Sequence, residues 1–415
     1  MSIAVLKDEV TPSAAVGAKA GAGTYDVALG YLRAFMTVLV VLHHSVLAYL
    51  GMKVPAQFAG GAMAWRAFPV TDPAHPWALS GVISGFNDVY FMALMFLLSG
   101  LFVQQSIQKK GIVAFVRDRT IRLGIPFLFS AMVVTPIAYY FAYRQIGGAP
   151  NLASYWSAFR QIGYWPSGPA WFISLLLAFD VAIALVYAVL PRWSDLAGRL
   201  NANAAAKPWR FFALFVVLSF LVYAPLAHAF GAGVWSYWGM FQFQTSRVLN
   251  YLLYFVVGIG IGAYGIRRGL LAPEGKLAQR WWLWMFILLP VIVIIGTALF
   301  LAILGARDAA TLQTLTDIGS ITFVLNCAIA SFAWLAVFTR FVKRANPVWD
   351  SLSRNAYGIY IVHYAFVAGL QYALLPAGLP GAAKAMLVTA GALGLSWLVA
   401  DALRRIPVVS RLVGV

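Results

Sequence analysis

The chain has 415 residues, of which 62% are hydrophobic and only 10% are charged. Soluble domains are nearer ~45–50% apolar and ~25% charged, so this composition excludes an ordinary soluble enzyme. The 30 Lys and Arg residues outnumber the 13 Asp and Glu residues, which gives a formal charge of +17. In so apolar a chain the positive-inside rule explains this excess better than nucleic-acid binding, which we do not expect.

The N-terminal residues 1–24 are rich in Ala and Gly and lack the apolar core of a signal peptide. We expect them to form a disordered cytoplasmic tail, followed by a single integral-membrane domain over residues 25–415. The one cysteine, Cys327, lies inside an apolar run, so no intramolecular disulfide can form.

Ten runs of about 20 apolar residues follow one another, each long enough to cross a hydrocarbon core of about 30 Å. They lie near 29–50, 86–107, 123–144, 168–190, 210–230, 248–266, 281–304, 316–340, 354–375 and 381–403. With the N-terminus inside, 22 of the 30 Lys and Arg residues fall in cytoplasmic segments and seven in outer segments. This distribution predicts an all-α polytopic membrane protein with about ten transmembrane helices and both termini cytoplasmic.

Two outer loops, 51–85 and 145–167, are longer than a connection needs and contain several Trp and Pro residues. An aromatic belt at the membrane interface explains the Trp residues of these loops. The alternative is that the loops form a lid over an outward-facing cleft. The glycines of the run 258–262 alternate with Ile in mid-span without a preceding strand, which predicts close helix packing rather than dinucleotide binding. Because no Cys and His pattern is typical of metal binding, we expect no metal.

Ionisable side chains inside a span cost about 2.5 kcal/mol or more at mid-bilayer, so each one is a candidate functional residue. Arg33 and His44 lie in the first span, eleven residues apart. At 100° and 1.5 Å per residue they share one helix face and are separated by about 16 Å along its axis. This spacing predicts a groove with Arg33 near the cytoplasmic surface and His44 in the outer half. The alternative is that the Arg33 side chain only reaches from the end of the span to the membrane–water interface.

Three further candidates lie along the chain. Arg119 and Arg122 stand three residues apart on the first cytoplasmic loop, just before a span that begins with Pro126, so they are predicted to project from one face. Two such guanidinium groups suit a phosphate-bearing ligand, although the positive-inside rule explains them equally well. Asp180 and His363 each lie within a span. For Asp180 two interpretations remain open, a protonated carboxyl group hydrogen-bonded to a neighbouring helix and a residue of the functional site.

Taken in order, these residues resemble the bacterial membrane acyltransferases of the acyltransferase-3 family, from about residue 25 to residue 410. The resemblance rests on Arg33 with His44, on the segment Phe96 to Gly100 with Ser99, and on Arg119 with Arg122. Weaker agreements are Trp171-Phe172 and the run Tyr357 to His363. Within the family, the chain looks most like the glucan biosynthesis protein C-like branch, which adds succinyl groups to periplasmic glucans. It departs from the family at Gly30, where an Asp is usual.

The resemblance implies an O-acyltransferase, transferring groups other than aminoacyl groups, in the bacterial inner membrane. Its donor substrate would be cytoplasmic acyl-CoA, acetyl or succinyl, with no permanently bound cofactor. The acceptor would be a hydroxyl of an extracytoplasmic carbohydrate or glycolipid, such as a periplasmic glucan or envelope polysaccharide. The roles implied are catalysis by His44 and Arg33, donor binding by Arg119, Arg122 and Arg33, and supporting roles for Ser99, Gly100, Trp171, Asp180 and His363.

Two alternatives remain. In a proton-coupled transporter or lipid-linked glycan flippase, His44, Asp180 and His363 would form a proton relay, but no internal repeat favours this function. A structural membrane subunit would fit the hydropathy without explaining the alignment of Arg33 with His44. For an acyltransferase, the residues do not distinguish direct transfer from transfer through an acylated His44.

Overall fold

The computed structural model describes residues 20–55, 70–266 and 268–413. Residues 1–19 of the predicted disordered tail, 1–24, lie outside the described residues. The first helix begins at Ala20. The described part of the chain is almost entirely helical, and its strands form one short antiparallel hairpin that pairs Trp235 with Gln244 and Trp238 with Phe241. The prediction of an all-α polytopic membrane protein is therefore confirmed.

The first half of the described chain contains ten α-helices: α1 Ala20–Val46, α2 Ala78–Gly100, α3 Val103–Lys110, α4 Ile112–Arg119, α5 Ile125–Phe129, α6 Thr135–Gln145, α7 Leu152–Arg160, α8 Trp171–Val189, α9 Trp193–Ala206 and α10 Pro208–Phe230. The second half contains the hairpin and seven helices: β1 Trp235–Trp238, β2 Phe241–Gln244, α11 Val248–Tyr264, α12 Lys276–Gln279, α13 Leu289–Gly305, α14 Ala309–Phe341, α15 Pro347–Ala373, α16 Gly381–Arg404 and α17 Pro407–Val413. Turns of 3₁₀ helix cover Leu47–Tyr49, Gly168–Ala170 and Thr245–Arg247, and π-helical turns cover Thr120–Gly124, Ser130–Val134 and Leu283–Leu288.

Nine helices among the described residues are long and apolar enough to cross a membrane, and each overlaps one of the ten predicted spans. They are Val27–Tyr49, Ala78–Lys110, Ile112–Gln145, Gly168–Val189, Pro208–Phe230, Thr245–Tyr264, Leu283–Gly305, Ala309–Phe341 and Gly381–Arg404. The remaining predicted span, 354–375, is helical too, as α15, but it is more polar than the nine. It packs against α1, α6 and α16, so its polar side chains face protein. The cytoplasmic placement of both termini stays a prediction.

Helices α2 and α11 cross at backbone contact because both carry glycine at the crossing. A Cβ atom at Gly258 would overlap the carbonyl oxygen of Leu97, and one at Gly262 would overlap the carbonyl oxygen of Leu101. On the other helix, a Cβ at Gly100 would overlap the carbonyl oxygen of Phe255. The prediction of close packing in the run 258–262 is therefore confirmed. Small residues allow such an approach, and dispersion contacts between the helices then stabilise the pair.

A buried ion pair lies at the end of the bundle that the sequence predicts to face outwards. Lys384, near the start of α16, is 0% exposed, and its Nζ lies 2.7 Å from Oδ2 of Asp72 and 3.0 Å from Nδ1 of His75. The backbone amide of Asp72 donates to the carbonyl of Ala48 at 2.8 Å, directly after α1. This cluster fixes the end of the outer loop against α1 and α16, because a buried charge is stable only when it is paired.

We predict that Gly258→Ala destabilises the protein, because one added methyl group must displace the Leu97 carbonyl. Overpacking of this kind costs about 1–3 kcal/mol, which thermal unfolding in detergent would show as a lower midpoint. Gly394→Ala is the matched control, since no atom lies within 4 Å of its added Cβ and Ala is the better helix former. Equal midpoints for the two variants would contradict the proposed crossing.

Candidate active site

Helix α1 carries Arg33 and His44 without interruption, so the separation of about 16 Å along the axis holds. The guanidinium carbon of Arg33 lies 5.6 Å from the ring centre of Phe102, two residues after the end of α2. His44 is only 6% exposed and lies two residues before the C-terminal end of α1. The structure thus places Arg33 at the middle of α1 and His44 near its C-terminal end, on one face of the helix.

His44 lies in a cluster of three histidine rings. Its ring centre is 5.2 Å from that of His43 on the same helix and 5.3 Å from that of His363 on α15. Tyr364 contacts the His44 ring at 5.5 Å between ring centres. The sequence places His44 and His363 more than 300 residues apart, and the packing of α1 on α15 brings them together. Among the described residues, no group of three His, Cys, Asp or Glu is arranged to hold a metal ion.

His363 has a defined proton position. Its Nδ1 lies 2.6 Å from the carbonyl oxygen of Tyr360, and a carbonyl can only accept, so Nδ1 donates. In the neutral ring the lone pair is then on Nε2. That atom is buried and has no hydrogen-bond partner among the described residues. Because His363 is 0% exposed, Nε2 is a free proton acceptor held in the protein interior beside His44.

Gln371 fixes the end of α1 to α15. Its side-chain amide donates to the carbonyl of His44 at 2.9 Å and to the carbonyl of Ser45 at 3.1 Å. The last carbonyl groups of a helix have no partner in the helix, so a buried helix end needs such a donor. Gln371 therefore holds the two histidine-bearing helices in register.

Arg119 and Arg122 lie on a helix and not on a loop, which corrects the sequence expectation. The turn falls earlier, at Gly111 with φ of 78°, and Ile112–Gln145 is one continuous span. Arg122 lies within the π-helical turn Thr120–Gly124. Such turns occur frequently at functional sites.

The helix continues through Pro126 because another residue replaces the hydrogen bond that proline cannot make. Proline lacks the N–H that would bind the carbonyl four residues earlier, which belongs to Arg122. The hydroxyl of Tyr357 on α15 donates to this carbonyl at 2.9 Å. Pro126 therefore does not begin the span, and α15 contacts the arginine-bearing segment directly.

The two arginines have different partners. Nε of Arg119 lies 3.4 Å from Oδ2 of Asp180, whose side chain is 1% exposed. Nε of Arg122 lies 3.0 Å from Oδ1 of Asp118, one turn earlier on the helix, and both of these side chains are partly exposed. The structure thus brings the two separate candidates Arg119 and Asp180 together, and a phosphate bound here would compete with a carboxylate for each arginine.

The remaining supporting candidates have packing roles in this structure. The hydroxyl group of Ser99 donates a hydrogen bond to the carbonyl of Met95 at 2.8 Å, within the same helix. Gly100 makes the helix crossing described above. Trp171 lies at the start of α8, with ring centres 5.5 Å from Trp235 and 5.8 Å from Tyr251. Their predicted supporting roles in the reaction rest on the sequence alone.

Asp88 and Arg247 form a further ion pair, and the sequence analysis did not find Asp88. Nη2 of Arg247 lies 2.6 Å from Oδ2 of Asp88, and Nη1 donates to the Asp88 carbonyl at 2.7 Å. Asp88 is an acidic residue inside the predicted span 86–107, so the rule that selected Asp180 would also have found it.

The geometry defines a membrane-embedded helical bundle with a histidine cluster at one end and arginine–carboxylate pairs elsewhere. A family model for the acyltransferase domain, acyltransferase-3, matches residues 26–401, and the chain belongs to this family. The protein is therefore a multi-pass membrane acyltransferase. Comparisons with curated proteins and with solved structures give no significant match.

We predict that Arg119→Ala lowers the free energy of unfolding by about 3 kcal/mol, because it leaves the Asp180 carboxylate buried without a cation. The double variant Arg119→Ala/Asp180→Asn regains most of this loss, since the amide carries no charge. Arg405→Ala is the control: its pair with Asp401 is exposed, and such i,i+4 pairs contribute only about 0.3–0.5 kcal/mol. Thermal unfolding in detergent measures all three, and an Arg119 variant as stable as the Arg405 variant would exclude a structural ion pair.

Proposed function

We propose that the protein is an O-acyltransferase of the bacterial inner membrane that moves an acyl group from cytoplasmic acyl-CoA to a hydroxyl of an extracytoplasmic carbohydrate. The observation that carries this proposal is the contact of His44 with His363 near the C-terminal end of α1, whose middle carries Arg33. Family membership supports the acyl-transfer chemistry, and the donor is proposed to extend along α1 from Arg33 to His44.

The reaction needs a base, a positioned donor and stabilisation of the oxyanion. As the acceptor hydroxyl oxygen attacks the thioester carbonyl, a histidine nitrogen of the cluster takes the hydroxyl proton. The C–S bond then breaks, and the histidine returns the proton to the leaving thiolate, so the proton and the charge balance. His363 Nε2 suits the proton transfer because it is buried, unprotonated in the neutral ring and adjacent to His44. An acyl-His44 intermediate would use the same two rings.

The donor is proposed to enter at the arginines. Arg119 and Arg122 would bind coenzyme A phosphates in place of Asp180 and Asp118, and Arg33 would contact the pantetheine arm. An extended arm can bridge the distance of about 16 Å between Arg33 and His44. We propose acetyl or succinyl as the acyl group and a periplasmic glucan or envelope polysaccharide as the acceptor, on the basis of the sequence resemblance.

A proton-coupled transporter or glycan flippase is the less well supported function. Its relay would need Asp180 to share protons with the histidines. In the structure Asp180 instead lies beside Arg119, and neither of its carboxylate oxygens has a hydrogen-bond partner among the described residues, so no hydrogen bond links it to the histidines.

We predict that His44→Ala retains acyl-CoA binding while transfer falls by about 10²–10⁴-fold, the usual contribution of general acid–base catalysis. Arg119→Ala/Arg122→Ala instead weakens the binding of acyl-CoA. Calorimetry measures the binding of acyl-CoA, and mass spectrometry of the acylated glycan measures transfer. Full transfer by the His44 variant would refute the assignment.

We predict that His363→Asn folds normally and loses transfer by a similar factor. The asparagine amide can still donate to the Tyr360 carbonyl, but no nitrogen remains at the position of Nε2. His228→Asn is the matched control, because His228 lies exposed in an ion pair with Asp317. If the His363 variant transfers as fast as the His228 variant, His363 has no part in the proton transfer.

A further inference from the structure

A second polar site lies next to the histidine cluster, on the side formed by α2 and α11. Asp88 is in the membrane-spanning part of α2, yet its side chain is 47% exposed, while its partner Arg247 is buried. An ionised carboxylate open to lipid would be costly, so the exposed part of Asp88 indicates a polar cleft. The exposed Gly81, Val82 and Gly85 continue this open face of α2 outwards.

The cleft is adjacent to the proposed reaction centre. The ring of His43 lies 5.2 Å from that of Phe91, and Phe91 is one helical turn from Asp88 on α2. The same His43 ring lies edge-on to His44 at 5.2 Å. Asp88, His43 and His44 therefore follow one another from the exposed cleft to the candidate catalytic ring.

Several buried polar atoms at this place have no hydrogen-bond partner among the described residues. Among them are Nδ1 of His43 and Nε of Arg247. Buried polar atoms are nearly always hydrogen-bonded, so each unpaired one needs an explanation. A ligand with several hydroxyl groups supplies it, because a hydroxyl can both donate to a carboxylate and accept from an N–H.

The charge of the cleft selects the ligand class. Arg247 packs on the ring of Phe323 at 4.8 Å, and this ring stacks on Tyr223 with ring centres 4.2 Å apart, so these rings help to bury the cation. The Arg247 charge is already balanced by Asp88, so a polyanion would meet a carboxylate without a free cation. A lipid chain would leave the Asp88 carboxylate without hydrogen-bond donors on its exposed side. A neutral, hydroxyl-rich ligand satisfies both conditions.

We propose that Asp88, Arg247 and His43 form the acceptor subsite, which binds a neutral carbohydrate through its hydroxyl groups. Asp88 accepts hydrogen bonds from the sugar, Arg247 holds the carboxylate in place, and His43 contacts the sugar next to His44. This inference rests on the proposed function and names where its acceptor binds. Asp88 is an acceptor-binding residue here and takes no part in the proton transfer, and Arg247 is the positioning residue.

The test compares Asp88→Asn with the wild-type protein, using acetyl-CoA or succinyl-CoA as donor and a mixture of neutral gluco-oligosaccharides as acceptor. We expect the acceptor KM to rise about tenfold or more, which is the contribution of a hydrogen bond to a charged group. The donor KM and kcat stay within about twofold, because neither depends on an acceptor-only contact. Asp401→Asn makes the same chemical change in the exposed Asp401–Arg405 pair and leaves all three constants unchanged.

A binding measurement without turnover provides the second readout. Gly85→Cys introduces a thiol on the exposed face, about one turn from Asp88, where an added Cβ meets no atom within 4 Å. The natural Cys327 is buried, so a membrane-impermeant maleimide labels residue 85 selectively from the outer side. The oligosaccharides are expected to slow this labelling, and Asp88→Asn in the same background is expected to abolish the protection.

The possible failures are distinguishable. If the wild-type protein acylates none of the oligosaccharides while it binds acyl-CoA, the proposed function fails for this acceptor class. If the wild-type protein transfers and folded Asp88→Asn shows an unchanged acceptor KM and unchanged protection, the subsite is refuted. A fall in kcat and thermal stability at constant acceptor KM likewise refutes it and makes the pair a structural contact. Asp88→Glu, which retains the charge opposite Arg247, gives the same comparison if Asp88→Asn fails to fold.

Discussion

The hydrocarbon interior of a membrane offers no hydrogen bonds, and this constraint governs every polar side chain in the bundle. Helices must therefore contact one another wherever a charge or an amide lies within a span. Lys384 with Asp72, Arg119 with Asp180 and Arg247 with Asp88 each join segments that are distant in sequence. These pairs hold the bundle in one arrangement as much as its apolar packing does, because any other register would leave a charge without a partner.

The same constraint applies to buried polar atoms that have no hydrogen-bond partner. Nε2 of His363, Nδ1 of His43 and Nε of Arg247 are buried without a partner among the described residues. Such atoms occur elsewhere in the bundle as well, and these three lie on or beside the histidine cluster at the end of α1. Under the proposed function, substrates complete the hydrogen bonding of these three atoms.

The sequence predicts well whatever depends on a single helix. The eleven-residue spacing placed Arg33 and His44 on one face, and the glycine run 258–262 identified a close crossing, because both properties follow from helical geometry alone. Which helix packs against which was beyond such reasoning. The pairing of Arg119 with Asp180 and the burial of Lys384 depend on which helices are neighbours. The prediction that the span begins at Pro126 was wrong for the same reason, since the hydroxyl that lets the helix continue comes from Tyr357 on α15.

Helix α15 connects the two ends of the proposed reaction. Tyr357 holds the carbonyl of Arg122, and His363 lies six residues further on, about 9 Å along the same helix axis. Gln371, near the outer end of this helix, holds the carbonyls of His44 and Ser45. Hydrogen bonds from Tyr357 and Gln371 thus attach the arginine segment and the end of α1 to the same unbroken helix. A displacement of either segment along α15 has to break its hydrogen bonds or move the other segment with it.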